Sequence, residues 1–144
     1  MAVNSERATA PEYGLTAVVA AIIANLDEDR VEAPSGAWHW AFKKLRDEHA
    51  SRWPQLKLDE LEFSQAPGVW PISESLERIF QFIDMAGFSS NLNWKLRVRQ
   101  FDLGKRDQLK QRFEPILGDE NKERIVELSR ALTKLLSAVP ERPA

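Results

Sequence analysis

The chain of 144 residues contains no cysteine, which excludes disulfides, thiolate nucleophiles, iron–sulfur clusters and cysteine-based zinc sites. Histidine is nearly as scarce. His39 and His49 are the only two; on a helix they would lie about 15 Å apart along the axis, too far to share one metal ion. No His-Glu-x-x-His, Gly-rich phosphate loop or Gly-x-Ser-x-Gly elbow occurs. Both histidines therefore read as surface or helix-flank residues. Charge of either sign is not in excess, with 20 basic against 22 acidic residues, so global charge selects no partner. The longest nearly apolar run, Leu15–Leu26, is interrupted by Thr16 and Asn25 and falls short of the ~20 residues that span a membrane. It also lacks the basic start and cleavage pattern of a secretory signal. The expectation is a cytoplasmic domain away from membranes, without catalytic residues, cofactor or metal.

What is present is ordinary globular composition, 43% hydrophobic and 29% charged, with no repeat or linker to divide it. We expect one domain over 12–139, a flexible arm over 1–11 and a tail over 140–144. The acidic runs Asp27-Glu28-Asp29 and Asp59-Glu60-Leu61-Glu62 are contiguous and hydrophilic, the pattern of solvated loops.

Apolar spacing predicts five helices. Thr16–Leu26 is apolar on nearly all sides, as a buried core helix is. A second helix reaches His49 with Ser35 as N-cap, its stripe formed by Trp38, Ala41, Phe42 and Leu45. Ser73 caps a third, Glu74–Ala86, which ends at Gly87 as a left-handed C-terminal residue with Phe88 folding back. Lys105–Glu114 is ended or kinked by Pro115. Asp119 caps the last, Glu120–Ala138, whose stripe runs through Ile125, Leu128, Leu132 and Leu136. Period-two alternation marks Trp94–Phe101 as a strand, with Trp94, Leu96 and Val98 facing one way and Lys95, Arg97 and Arg99 the other. Its partner is either Leu56–Phe63 or the stretch near Phe88–Leu92, with Ser89-Ser90-Asn91 as a turn. The fold class is mostly α: about five helices with a small β-hairpin.

Two features go beyond a core. Five tryptophans occur, and Trp70 lies in a turn between Pro67-Gly68 and Pro71, where a rigid aromatic is presented at little entropic cost. Lys95 to Arg112 carries seven basic residues and two acids, a local excess within a chain of net charge −2. Trp70, Arg97 and Arg99 are the candidate partner-binding residues, since aromatic and arginine anchors dominate interface centres. Lys95, Arg97, Arg99, Lys105 and Arg106 are the candidates for contact with nucleic acid.

The segment 42–101 carries a resemblance. Phe42-Lys43-Lys44-Leu45, then Leu61-Glu62-Phe63, then Pro71-Ile72-Ser73-Glu74-Ser75-Leu76 with Ile79, Phe80, Ile83 and Gly87-Phe88, and finally a strand, resemble the Panacea-type helical domains. That group has a Gly-Pro-Tyr-Ser-like turn where this chain reads Trp70-Pro71-Ile72-Ser73. The resemblance implies an antitoxin or an accessory protein of a bacterial phage-defence system, and no functional residue is carried over from it. The order helix, turn, helix, hairpin also resembles a winged helix, with Ser73–Ala86 as the reading helix and Trp94–Phe101 as the wing. That helix offers Glu74, Glu77, Gln81 and Asp84 where a groove reader needs donors. The leading expectation is thus a non-catalytic protein-interaction module, partnered by another protein or a second copy of itself. The alternative is a winged-helix-like nucleic-acid-binding regulator.

Overall fold

The computed structural model describes residues 14–88, 90–93 and 97–141. The proposed arm 1–11, most of the proposed tail, and Trp94, Lys95 and Leu96 lie outside these. Helix α1 covers 14–24, slightly earlier than its apolar spacing predicts, and Ala17 through Ala24 are fully buried. Ala, Val and Ile leave no polar side, so no face of this stretch can rest against water.

Strand β1 (Arg30–Pro34) follows and leads directly into α2 (Ser35–His49). Ser35 is therefore the first helical residue and not the cap; Pro34 holds the cap position without a side-chain hydrogen bond. The predicted stripe is correct: Trp38, Ala41, Phe42 and Leu45 are buried. Pro54 breaks the chain into two short 3-10 turns, Pro54–Leu56 and Leu58–Glu60, with Lys57 left-handed between them. The alternative of a strand over Leu56–Phe63 is thereby overturned, because Leu56, Leu58 and Leu61 reach the core from turns.

Ser73 caps α3 (Glu74–Ile83) as its spacing requires, its Oγ accepting the Leu76 amide at 3.1 Å. The helix does not stop at Gly87. It widens into a π turn, Asp84–Phe88, that runs through the glycine. Strands β2 (Ser90–Asn93) and β3 (Val98–Asp102) complete a three-stranded antiparallel sheet in the order β1-β3-β2, with Ala33 and Leu92 both opposite Arg99. Ser90 and Asn91 are thus strand rather than turn residues, and β1 is a strand that alternation did not reveal.

The parity of β3 is the main correction. Arg99 and Phe101 point inward, while Val98 and Gln100 are only half-buried. Phe101 shares Arg99's phase and sits edge-on between Trp38 (4.9 Å) and Phe80 (5.2 Å). Burying a phenyl ring outweighs burying Val98, and period two then carries Arg99 inside with it.

Helix α4 (Arg106–Leu117) continues past Pro115 for two residues, far enough to bury Leu117, and Asn121 Nδ2 donates to the Leu117 carbonyl at 2.7 Å. A 3-10 turn, Asp119–Asn121, precedes α5 (Lys122–Ser137), so Asp119 is not its cap. Ile125, Leu128 and Leu132 are buried, α5 packs along α2, and Ser129 Oγ donates to the Ile22 carbonyl of α1 at 2.9 Å. The fold is mostly α with a small sheet. A long connection, 50–73, separates α2 from α3 where a tight turn was expected.

Candidate functional site

A cavity of about 690 Å³ opens between the start of α2, the edge of α3 and the β3 end of the hairpin. Its position follows from three local devices. The loop 64–72 is pinched at its base by a two-way backbone pair between Ser64 and Ile72, each bond 2.9 Å, and turns at Gly68 with φ 78°. The loop carries Trp70 back over Gly36 on α2, where a β-carbon would stand 2.3 Å from the indole Cγ and Cδ1. Only glycine lets the ring lie that close. On the far side, the Arg97 carbonyl accepts the Ser35 amide at 2.8 Å and ties the hairpin to the first turn of α2. Arg97 itself is left-handed, with φ 52°, and exposed.

The floor is a charged cluster. His39 is 3% exposed. Its Nδ1 accepts the Ser73 amide at 3.0 Å and its Nε2 faces Glu77 Oε2 at 2.9 Å. A ring nitrogen that accepts an N–H bears no proton, so the single proton of the neutral ring is on Nε2 and is donated to Glu77. The other carboxylate oxygen, Oε1, accepts Arg99 Nη2. The Arg99 guanidinium lies over the Phe80 ring, 4.8 Å from its centroid, and Trp38 Nε1 donates to the Arg99 carbonyl at 3.0 Å. Burial pushes the Glu77 carboxyl upward, but the His39 hydrogen bond and the Arg99 charge outweigh it and hold the group below its ordinary value. Burial lowers Arg99 from its ordinary value, against the opposing charges of Glu77 and Asp84.

The fold brings Trp70, Arg97 and Arg99 to this one cavity, but in different roles. Trp70 is a half-buried wall and Arg97 an exposed lip, whereas Arg99 lies beneath the surface and not on an open strand face. The basic window does not form one patch. Arg106 donates to the Leu26 and Glu28 carbonyls, both at 2.6 Å, and to Asp29 Oδ1 at 3.0 Å, closing the α1–β1 loop onto α4. Arg97 and Lys105 stay exposed, and Lys95 lies outside the described residues.

Sequence reasoning placed His39 on a helix flank; it is a buried centre of the cluster. By sequence Glu77 is a first-turn acid favoured by the helix dipole, and Glu77 and Asp84 are groups that repel phosphate. The available signal was Glu77's place beside Leu76 and Phe80, which puts a carboxylate at the border of the apolar face. Among the described residues no three His, Asp or Glu stand together as a metal site, and no helix is long and apolar enough to cross a membrane. Scans of protein-family models, curated proteins and solved structures return no match to this chain.

Proposed function

We propose that the chain is a non-catalytic protein-interaction module that seats a partner segment in the cleft beside Trp70. The observation that carries this reading is how the cleft divides its chemistry. Both ring nitrogens of His39 and both oxygens of Glu77 are already engaged within the protein, so the buried floor is committed to holding the fold together. The rim, by contrast, is unspent. Val69 and Ile72 are 48% and 54% exposed beside Trp70, and Arg97 has no ion-pair partner among the described residues. An aromatic wall, exposed aliphatic neighbours and an arginine make the composition of an interface centre. The Panacea-type resemblance over 42–101 adds the accessory or antitoxin-like role, so proteins encoded beside this one are the first partners to try.

Co-purification with those neighbours, followed by titration of wild type against W70A, tests the reading. We expect W70A to melt close to wild type while binding weakens by more than about 1 kcal/mol. Unchanged affinity for a captured neighbour would sink it. The nucleic-acid regulator is the alternative, and it retains Arg97 and Lys105 as exposed cations. Sub-micromolar DNA binding that survives physiological salt would favour it.

A further inference from the structure

His39 joins the charged cluster to the loop carrying the rim. Its Nε2 side holds Glu77, and through Glu77 the Arg99 of β3. Its Nδ1 side holds the backbone of Ser73. Ser73 in turn caps α3 and follows Ile72, whose amide and carbonyl close the 64–72 loop. The two bonds of the ring respond oppositely to a proton. A protonated imidazole donates from both nitrogens, so the Glu77 bond survives as an ion pair, whereas at Nδ1 an N–H would meet the N–H of Ser73. Two donors cannot share that line, and a buried amide that loses its acceptor is costly.

The charges around the ring are of both signs. From α3 the Glu77 carboxylate faces Nε2, with Asp84 further along the same helix. From β3 the Arg99 guanidinium stands behind Glu77. On its own helix Lys43 stands one turn on, and the residues of 64–73 carry no charge. Because protonation strengthens the Glu77 contact, the bond that fails is the one to Ser73.

We propose that His39 is a proton-operated latch on the cleft: the neutral Nε2–H ring keeps the Ser73 amide and the Trp70 loop closed against α2, and a proton taken up at Nδ1 releases them. This regulation rests on reading the cleft as the binding site, but the latch is measurable without any partner. The experiment is an NMR pH titration of the intact chain, following His39 ring nitrogens, the Ser73 amide and the Trp70 indole. At neutral pH the Nδ1 resonance is that of a bare nitrogen and Nε2 that of a protonated one. As the ring protonates, the protection factor of the Ser73 amide falls by about tenfold or more, and the Trp70 signals move with the same midpoint. H39N places a non-titrating acceptor near the Nδ1 position, so Ser73 stays protected across that range. A bare Nε2 at neutral pH, or Ser73 protection that persists through the ring's titration in wild type, overturns the latch. An unaltered affinity of W70A would instead overturn the binding site and leave these resonances as they are.

Discussion

Where α2 meets α5, and in α1 beside it, burial is carried by aliphatic side chains with no charged group among them: Ile22, Ile23, Leu45, Leu128 and Leu132 are all fully buried, and the one buried hydroxyl, Ser129, is bound to the Ile22 carbonyl. On the side that meets α3 and β3, the same helix buries His39 against Glu77 and Arg99 under a lid of aromatic edges. The first arrangement holds at any pH at which the chain is folded, because dispersion and the hydrophobic effect carry no titratable group. The second is conditional. Each member of the cluster is stable only while its neighbours keep their charge and tautomer, since a buried charge without its partner costs several kcal/mol. One half of the molecule is built for permanence and the other can respond, and the cleft lies in the half that can respond.

The comparison breaks most visibly on the aliphatic side. L132A removes a fully buried side chain from the α5 stripe, and we expect a loss of about 2–5 kcal/mol in urea or thermal unfolding. The loss should be the same at pH 5 and pH 8. An unchanged melting temperature would mean that the stripe is not packed.

E77Q tests the polar side. It keeps the shape but leaves Arg99 without its counter-charge, and about 2–4 kcal/mol is expected, below the full figure for a buried pair because the Glu77 side chain is 27% exposed. Here the pH matters. Glu77 is held below its unfolded value of 4.5, so its contribution is complete above that pH and disappears as pH falls through the lower folded value. The gap between wild type and E77Q should therefore close in acid, whereas the L132A gap should not. A gap that persists once the Glu77 carboxyl is fully protonated would contradict the assigned ion pair.

The smallest effect concerns Arg106, a candidate for contact with nucleic acid that the fold uses as an internal tie. R106A should cost about 1–2 kcal/mol, chiefly from the carbonyl bonds, because Asp29 is 87% exposed and its ion pair contributes little. Amide exchange at Leu103, which donates to the Asp29 carbonyl, should quicken at the same time. If R106A instead weakened binding to a partner without loss of stability, the division drawn between Arg106 and Arg97 would be wrong.

Much of this architecture is legible in the chain itself. The buried α1, the α2 stripe, the Ser73 cap and the α5 stripe follow from apolar spacing and capping chemistry, which act over four to seven residues and need no distant partner. The aromatic and arginine members of the cleft, Trp70 and Arg97, were also visible, one from its proline-flanked turn and the other from the charge excess around it. Three things were not. Strand β1 alternates over only Arg30-Val31-Glu32-Ala33 before Pro34, a run too short to read as a strand without the paired edge that β3 offers it. The face of β3 depended on whether Val98 or Phe101 would be buried, which Trp38 and Phe80 decide from 21 or more residues away. The partnership of His39 with Glu77 spans 38 positions and that of Arg99 with Glu77 spans 22, and no local pattern encodes either. The helices, their buried faces and the absence of cysteine chemistry depend on composition and short-range periodicity, and both can be read along the chain. That one histidine, one glutamate and one arginine meet in the cavity lined by Trp70 is a property of the folded core, because bringing charged groups out of water together requires everything packed around them to hold them there.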